Sequence, residues 1–367
     1  MKIAFFTDTY EPQINGVVFS INSFAASLKK NGHHVSIYAP SCGKKSSSVV
    51  HVPSIPFFPY PGYRIGVPFS THLLQKNTDI IHVHTPFSLG LAGITIGKLL
   101  GKPVVGSFHT LIPEFTDYVV KTKRFKPALK HVTWRYLRWF YNQCDLVIAP
   151  TPEIKAVLKK QGVQRPITVI PTGVERPPRI EKSAARKKHH FSYDEKIILH
   201  VGRISQEKNI PFLLRALRPL LHDNTKFVIT SDGPYKKELE NVAQQYHIPN
   251  VIFTGFLTRR KLDEFYALAD IFVVASKSET QGLTVADAAM HGLPIVALET
   301  PVIGNFIRRT KTGFVVSEKQ FCVAVHNVLQ KNIHVKLPAG YTIQETTRQL
   351  IAAYEDVLSS MSAETRD

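Results

Sequence analysis

Two carboxylates, Glu279 and Asp287, stand with seven residues between them in the stretch SETQGLTVADAAMHGLPIVA. The apolar run DIFVVAS leads into it and a second, PIVAL, leads out. This pattern predicts a buried strand, a loop bearing Glu279, a helix bearing Asp287 and another buried strand. Three other apolar runs end in loops of similar character. KIILHV is followed by Gly202, Arg203 and, five residues on, Lys208; KFVIT by Ser231, Asp232 and Gly233; NVIFT by Gly255 and Phe256. Two cations on one loop, helix N-termini with unpaired N–H groups, and glycines such as Gly282 that admit a close approach all suit an anion such as a diphosphate. Acids beside that anion make sense if they accept hydrogen bonds from neutral hydroxyls. A nucleotide sugar carries hydroxyls at each end and a diphosphate between them. Glu279 would then hold sugar hydroxyls and Asp287 a second set. The plainer account, acids favoured at a helix N-terminus, fits Glu279 better than Asp287.

The first half offers a matching set. Asn15 and Gly16 precede a helix and would form an anion-ready N-terminus. DIIHVH ends in His84 and PVVGSFH in His109, histidines at the carboxyl ends of buried strands. No G-x-G-x-x-G follows the first strand, and Gly93, Gly97 and Lys98 lack phosphate-loop spacing. No D-x-D occurs. A metal site of that kind is therefore not expected, and cations with helix ends must neutralise the diphosphate.

These residues need a frame that brings them to one edge. KIAFFT, HVSIYAP, DIIHVH, PVVGSFH and DLVIAP alternate with amphipathic segments, the first of them VVFSINSFAASLKKNG, ended by Gly32. The rhythm restarts after residues 175–195, a charged, proline-rich stretch that reads as a loop or linker. It continues through KIILHVG, KFVITSDG, NVIFTGF, DIFVVAS and PIVAL. Short apolar strands alternating with helices predict parallel sheets covered on both faces. The expected fold class is α/β, two doubly wound Rossmann-like domains facing each other across a cleft, with ligands at the carboxyl ends of the strands. The expected division is 1–175, 176–341, and a terminal helix, 342–367, packing back on the first domain. At 367 residues, two domains are the better prior.

The chain carries 46 Lys and Arg against 28 Asp and Glu, a net charge of +18. Residues 1–150 contribute +10 and the remainder +8. Such a field draws nucleic acid, anionic lipid or acidic substrates alike. Cys42, Cys144 and Cys322 have neither metal-ligand spacing nor an even count, which fits a reducing cytoplasm. MKIAFFTDTY is too short an apolar run for a signal peptide, and no apolar run is long enough to span a bilayer.

Taken together, TDTYEPQINGVV, DIIHVHTPFSLG, GSFHT, VIPTGV, VGRISQEKN, SDGP, GF and SETQGLTVADAAMHGLPIVA resemble the retaining glycosyltransferases of family four, which have the GT-B fold. The pieces cover roughly residues 1–320 in the family's order. The resemblance implies that Arg203 and Lys208 bind the donor diphosphate beside Gly202, Asp232, Gly255 and Phe256. It implies that Glu279 contacts the transferred sugar, with amides around Gln281, Gly282, Leu283 and Thr284. Asp287 would hold the ribose, Gly16 would approach the diphosphate, and His109 would orient the donor sugar. Retention by front-side attack, with the leaving diphosphate helping to deprotonate the acceptor, is implied too, so the catalytic set is His109, Glu279, Arg203 and Lys208 without a conventional base. No cofactor is implied; the nucleotide sugar is a substrate. Two departures stand out. Asp287 replaces the usual Glu, shortening its reach by roughly 1.5 Å, and Ser231 replaces a more usual Gly.

The acceptor side is sought in Thr122–Gln143, TKRFKPALKHVTWRYLRWFYNQ, which has Lys123, Arg124, Lys126, Lys130, Arg135 and Arg138, no acid, and the tryptophans Trp134 and Trp139. Pro127 is placed to open a helix, and Leu129, Val132, Leu137 and Phe140 form a core-like stripe. A basic helix with aromatics is the form of an interfacial membrane contact; the alternative packs its aromatics into the domain. The N-terminal motifs and ETQG look most like the diacylglycerol glucosyltransferase branch. The expected activity is transfer of a hexose, glucose from UDP-glucose, onto a lipid hydroxyl by a cytoplasmic enzyme peripheral on an anionic membrane. The alternatives are a phosphatidylinositol mannosyltransferase using GDP-mannose and a soluble transferase with an anionic or polymeric acceptor. A nucleic-acid-binding protein fits the charge but leaves Glu279, Asp287 and His109 unexplained.

Overall fold

The computed structural model describes residues 1–41, 49–57, 64–68, 77–115, 125–222, 224–233, 235–331 and 333–364. The chain divides into two compact units, Met1–Gly173 with Ile343–Asp367, and Val174–Thr342.

In the first unit the strands are β1 (Lys2–Phe6), β2 (His34–Pro40), β3 (Val49–Val52), β4 (Ser54–Pro56), β5 (Arg64–Gly66), β6 (Ile80–Val83), β7 (Val104–Ser107), β8 (Leu146–Ala149) and β9 (Ile167–Val169). The helices are α1 (Gly16–Lys30), α2 (Ser88–Leu100), α3 (Lys126–Tyr141) and α4 (Pro152–Lys160). Seven described strands form one parallel sheet in the order β3-β2-β1-β6-β7-β8-β9, and β4 and β5 make a small antiparallel pair. Every residue of β6, β7 and β8 is buried, as expected for strands covered on both faces.

The second unit contains α5 (Lys182–Lys188), β10 (Lys196–Val201), α6 (Ile210–Leu217), β11 (Thr225–Thr230), α7 (Lys236–Gln245), β12 (Val251–Gly255) and α8 (Arg259–Leu268). It continues with β13 (Ile271–Val274), α9 (Leu283–Met290), β14 (Ile295–Leu298), α10 (Pro301–Thr310), β15 (Gly313–Val316) and α11 (Phe321–Leu329). Its parallel sheet runs β12-β11-β10-β13-β14-β15. Successive side chains of β10 enter opposite cores, Ile197, Leu199 and Val201 on one face and Ile198 on the other. The last helix, α12 (Ile343–Glu364), belongs to the first unit, where Ile343, Leu350, Ala353 and Tyr354 pack with Val17, Ile21, Phe24 and Leu28 of α1.

Two expectations need correction. Within 175–195, KSAARKK is a helix, and Arg186 is buried at 4% exposure. Its guanidinium donates to the Leu268 carbonyl at 3.1 Å, the Tyr193 carbonyl at 2.5 Å and Asp270 Oδ2 at 2.8 Å. A buried charge with a full set of acceptors is tolerated, and composition alone reads such a segment as solvated. In α3, Val132 is not core: it is 59% exposed, whereas Leu137 and Phe140 are buried. β3, β9 and β15, three or four residues long, are strands beyond those expected from the sequence.

Candidate active site

In the second unit the strand order reverses at β10, whose neighbours are β11 and β13. Loops leaving the carboxyl ends of β10 and β13 therefore open a crevice, the usual ligand position in such sheets. Lys208 leaves one loop and Glu279 the other, and they meet, Lys208 Nζ donating to Glu279 Oε1 at 2.5 Å with both side chains less than a fifth exposed. The loops are also laced by backbone, Lys277 N–H to the Glu207 carbonyl at 2.8 Å. The loop after β11 joins them through Ile204 N–H to the Asp232 carbonyl at 3.0 Å, and a Cβ on Gly233 would lie 2.2 Å from the Ile204 carbonyl oxygen. The loop after β12 joins through Ser231 N–H to the Gly255 carbonyl at 2.8 Å. Gly202 lies beside the Lys208 side chain, Arg203 and Asp232 are exposed, and Phe256 is 54% exposed. Ser231 has φ 93°, a left-handed value that suits the glycine expected there. Ser231→Gly is expected to raise the unfolding free energy by up to ~1 kcal/mol in chemical denaturation, against the usual sign for a new glycine.

Gly282, at φ 80°, opens α9, and a Cβ there would also stand 2.3 Å from Ile303 Cδ1. Among the described residues no side chain caps this helix, so the amides of Leu283 and Thr284 stand at its positive end, with Gln281 buried beside them. Asp287 lies one turn in, 6% exposed, and both of its oxygens accept from Arg259, at 2.6 and 2.9 Å. Arg259 also pairs with Asp263 at 2.8 Å, and His291 Nε2 lies 3.2 Å from Asp263 Oδ1. Sequence reasoning missed Arg259 and Asp263. The available signal was a pair of arginines, Arg259 and Arg260, opening a helix whose N-terminal dipole disfavours cations; such residues need partners elsewhere.

In the first unit the order reverses at β1, between β2 and β6. Asp8, at the end of β1, is buried and accepts from Thr85 Oγ1 at 2.6 Å, Ser88 Oγ at 2.8 Å and Leu89 N–H at 2.8 Å. It thereby caps α2, which has no cap of its own, and ties the loop after β1 to the loop after β6. Burial pushes its carboxyl upward and these bonds oppose that. Gly16 is exposed at the start of α1. The α1 N-terminus is less anion-ready than expected, because Asn15 Oδ1 already accepts from Val17 N–H and Val18 N–H, both at 3.0 Å.

His109 is not alone. His84 Nδ1 lies 3.0 Å from His109 Nε2, and the rings of His82, His84 and His109 stack with centroids 4.1 and 5.3 Å apart. His82 is held by Tyr354 Oη at 2.6 Å and Ser107 Oγ at 2.7 Å. Burial holds His82 and His84 well below the usual histidine range, and pulls His109 down to about 4. Unfolded histidines take up protons near pH 6.5, whereas these do not, so the stability they confer is present above pH 6.5 and lost as the pH falls towards 4. His109 alone predicts a loss of about 2 kcal/mol between pH 7 and pH 5, read as a drop in unfolding free energy that His109→Asn diminishes.

On α3 the structure separates the residues expected to meet a membrane. Trp134 does not face outward; it is 8% exposed and stacks with Phe108, because its helix position faces the sheet with Leu137 and Tyr141. Lys130 pairs with Glu114 at 2.5 Å. Trp139, Val132 and Phe125 are exposed at spacings of seven, flanked by the exposed Arg135 and Arg138, with Lys126 half-buried. Lys123 and Arg124 lie outside the described residues. Among the described residues no helix is long and apolar enough to cross a membrane, and no group of three or more His, Cys, Asp or Glu could hold a metal ion.

Residues 14–176 match the family described as Glycosyltransferase Family 4, and residues 181–333 match that described as Glycosyl transferases group 1. The chain is 36% identical to the alpha-monoglucosyldiacylglycerol synthase of Streptococcus pneumoniae, over 84% of this chain and 73% of that one. It is 30% identical to the enzyme of that name from Acholeplasma laidlawii, over 87% and 86%. Among solved structures, HepE of Anabaena in complex with UDP and glucose superposes with a TM-score of 0.73 at 16% identity, covering both chains completely. Sucrose-phosphate synthase of Thermosynechococcus elongatus superposes with a TM-score of 0.70 at 18% identity, over 100% and 98%. Two Rossmann-like sheets, each with its loops gathered at a point of strand reversal, and these matches make the chain a member of glycosyltransferase family four, with the GT-B fold.

Proposed function

We propose that the protein is a retaining hexosyltransferase that moves glucose from UDP-glucose onto the hydroxyl of a membrane lipid such as diacylglycerol, without a metal ion. The observation that carries this reading is the Lys208–Glu279 contact at the β10–β13 reversal. An incoming diphosphate competes for the Lys208 ammonium, with Arg203 on the same loop as the second cation. Glu279, released, accepts hydrogen bonds from sugar hydroxyls. The amides of Leu283 and Thr284 add N–H donors for sugar or phosphate. Asp287, fixed by Arg259, keeps lone pairs for ribose hydroxyls, and a water bridges whatever its shorter side chain does not reach. Similarity to synthases named for monoglucosyldiacylglycerol supports glucose and a lipid acceptor. A screen of UDP- and GDP-sugars, with and without diacylglycerol in anionic liposomes, tests it. Lipid-dependent release of UDP from UDP-glucose is expected; release from GDP-mannose alone would overturn the donor assignment.

The exposed stripe Phe125, Val132 and Trp139, flanked by Arg135 and Arg138, is the surface that meets anionic lipid. At about 1 kcal/mol per basic residue, Arg135→Ala with Arg138→Ala should weaken cosedimentation with anionic liposomes roughly 30-fold while sparing UDP binding. Raised salt should weaken binding of the parent protein too. No binding at low or high salt would favour a soluble acceptor.

A further inference from the structure

His84 does nothing in the scheme above, yet it is wholly buried and touches His109, the histidine that the family resemblance assigns to the donor sugar. Its environment is tightly drawn. Its ring lies between those of His82 and His109, with Phe5 packed edge-on at 4.6 Å between centroids. Its Nδ1 meets His109 Nε2 at 3.0 Å, and among the described residues its Nε2 is buried without a hydrogen-bond partner. A neutral imidazole carries one N–H and one lone pair, so a bond between two neutral rings holds one proton, given by one ring or the other. If His109 gave it, the remaining proton of His84 would sit on Nε2 as an orphaned buried N–H, which proteins rarely leave. If His84 gives it, Nε2 is left as a bare lone pair, and we take this as the lesser deficit by analogy with buried backbone groups, where unsatisfied acceptors are less rare than unsatisfied N–H donors. The second arrangement puts the proton of His109 on Nδ1.

We propose that His84 is a positioning residue that donates from Nδ1 to His109 Nε2 and so holds His109 as its Nδ1–H tautomer, an N–H donor for an oxygen of the transferred sugar. The sugar's part in this rests on the function proposed above; the tautomer does not. His82, pinned by Tyr354 and Ser107, is the platform on which the His84 ring is stacked. The C-terminal helix α12, which brings Tyr354, thus supports a site residue more than two hundred positions earlier in the chain.

The test is a two-bond proton–nitrogen correlation spectrum of the full chain labelled with 15N-histidine, with His109 assigned by its loss in His109→Asn. The parent protein should show His109 protonated at Nδ1. His84→Asn, which keeps an N–H donor near the Nδ1 position, should preserve that pattern and keep kcat within about fivefold of the parent. His84→Leu should mix the tautomers and lower kcat about 10- to 100-fold, with KM for the nucleotide sugar changed less than about threefold. A parent spectrum with His109 protonated at Nε2 overturns the proposal, as does a His84→Leu protein with an unaltered tautomer. An Nδ1–H His109 in a protein that transfers no hexose upholds the positioning and sinks the function.

Discussion

Arg203→Ala is expected to abolish detectable transfer while moving the thermal midpoint by no more than about 2 °C. The two halves of that result have different origins. Arg203 is exposed on the loop after β10, and exposed positions of this kind usually contribute within about half a kcal/mol to stability. In catalysis, the charge that develops on a departing diphosphate must be met by donors already in place. Loss of one such donor costs about 10²- to 10³-fold in kcat, and here one of the two cations on the loop would be gone. A variant that retains activity within a few-fold would show that the diphosphate is gripped elsewhere. Thermal unfolding and a nucleotide-release assay on the same preparation settle both halves.

Glu279→Gln should be nearly as severe, lowering kcat about 10²- to 10³-fold with little change in KM for the donor. The substitution keeps shape and removes charge. Lys208 loses its carboxylate, yet an amide oxygen still accepts its proton, so the unfolding free energy should fall by only about 1 kcal/mol. The competing account gives Glu279 only a favourable place before the helix α9, and it predicts a different outcome. A helix-dipole role is worth about 0.3–1 kcal/mol of stability and nothing in kcat. A kcat loss under threefold would therefore select that account.

The sequence showed the loops but not how they are joined. Alternation of apolar runs was enough to locate KIILHVG, KFVITSDG and DIFVVAS as strands, because buried parallel strands are apolar along most of their length, and the half-buried edge strand in NVIFTGF is apolar enough to be read the same way. Sequence order then put Arg203, Lys208, Asp232, Gly255 and Glu279 beyond carboxyl ends. What spacing could not give was partnership. That Lys208 touches Glu279, that Arg259 occupies both oxygens of Asp287, and that His84 sits against His109 are contacts between residues 25 to 71 positions apart. They follow from which strands are neighbours, and strand order is not written in local composition. On α3, stripe reasoning assigned Leu129, Val132, Leu137 and Phe140 inward and Trp134 outward; Leu137 and Phe140 are buried, but Val132 is exposed and Trp134 is buried in its place. A helix carrying apolar residues on most of its circumference does not declare its buried face, and the sheet it lies on chooses. Arg186 was hidden for the converse reason, since a buried guanidinium with carbonyl acceptors looks, in one dimension, like any surface charge.

The central proposal is that the Lys208 ammonium leaves Glu279 for a nucleotide diphosphate. Titration calorimetry of UDP into the parent protein and into Lys208→Ala, both in chelator, reads this directly. The account predicts that the parent binds UDP without added metal and that Lys208→Ala binds about 10- to 100-fold more weakly, the value of a lost charge-assisted hydrogen bond. Equal dissociation constants for the two proteins would contradict it.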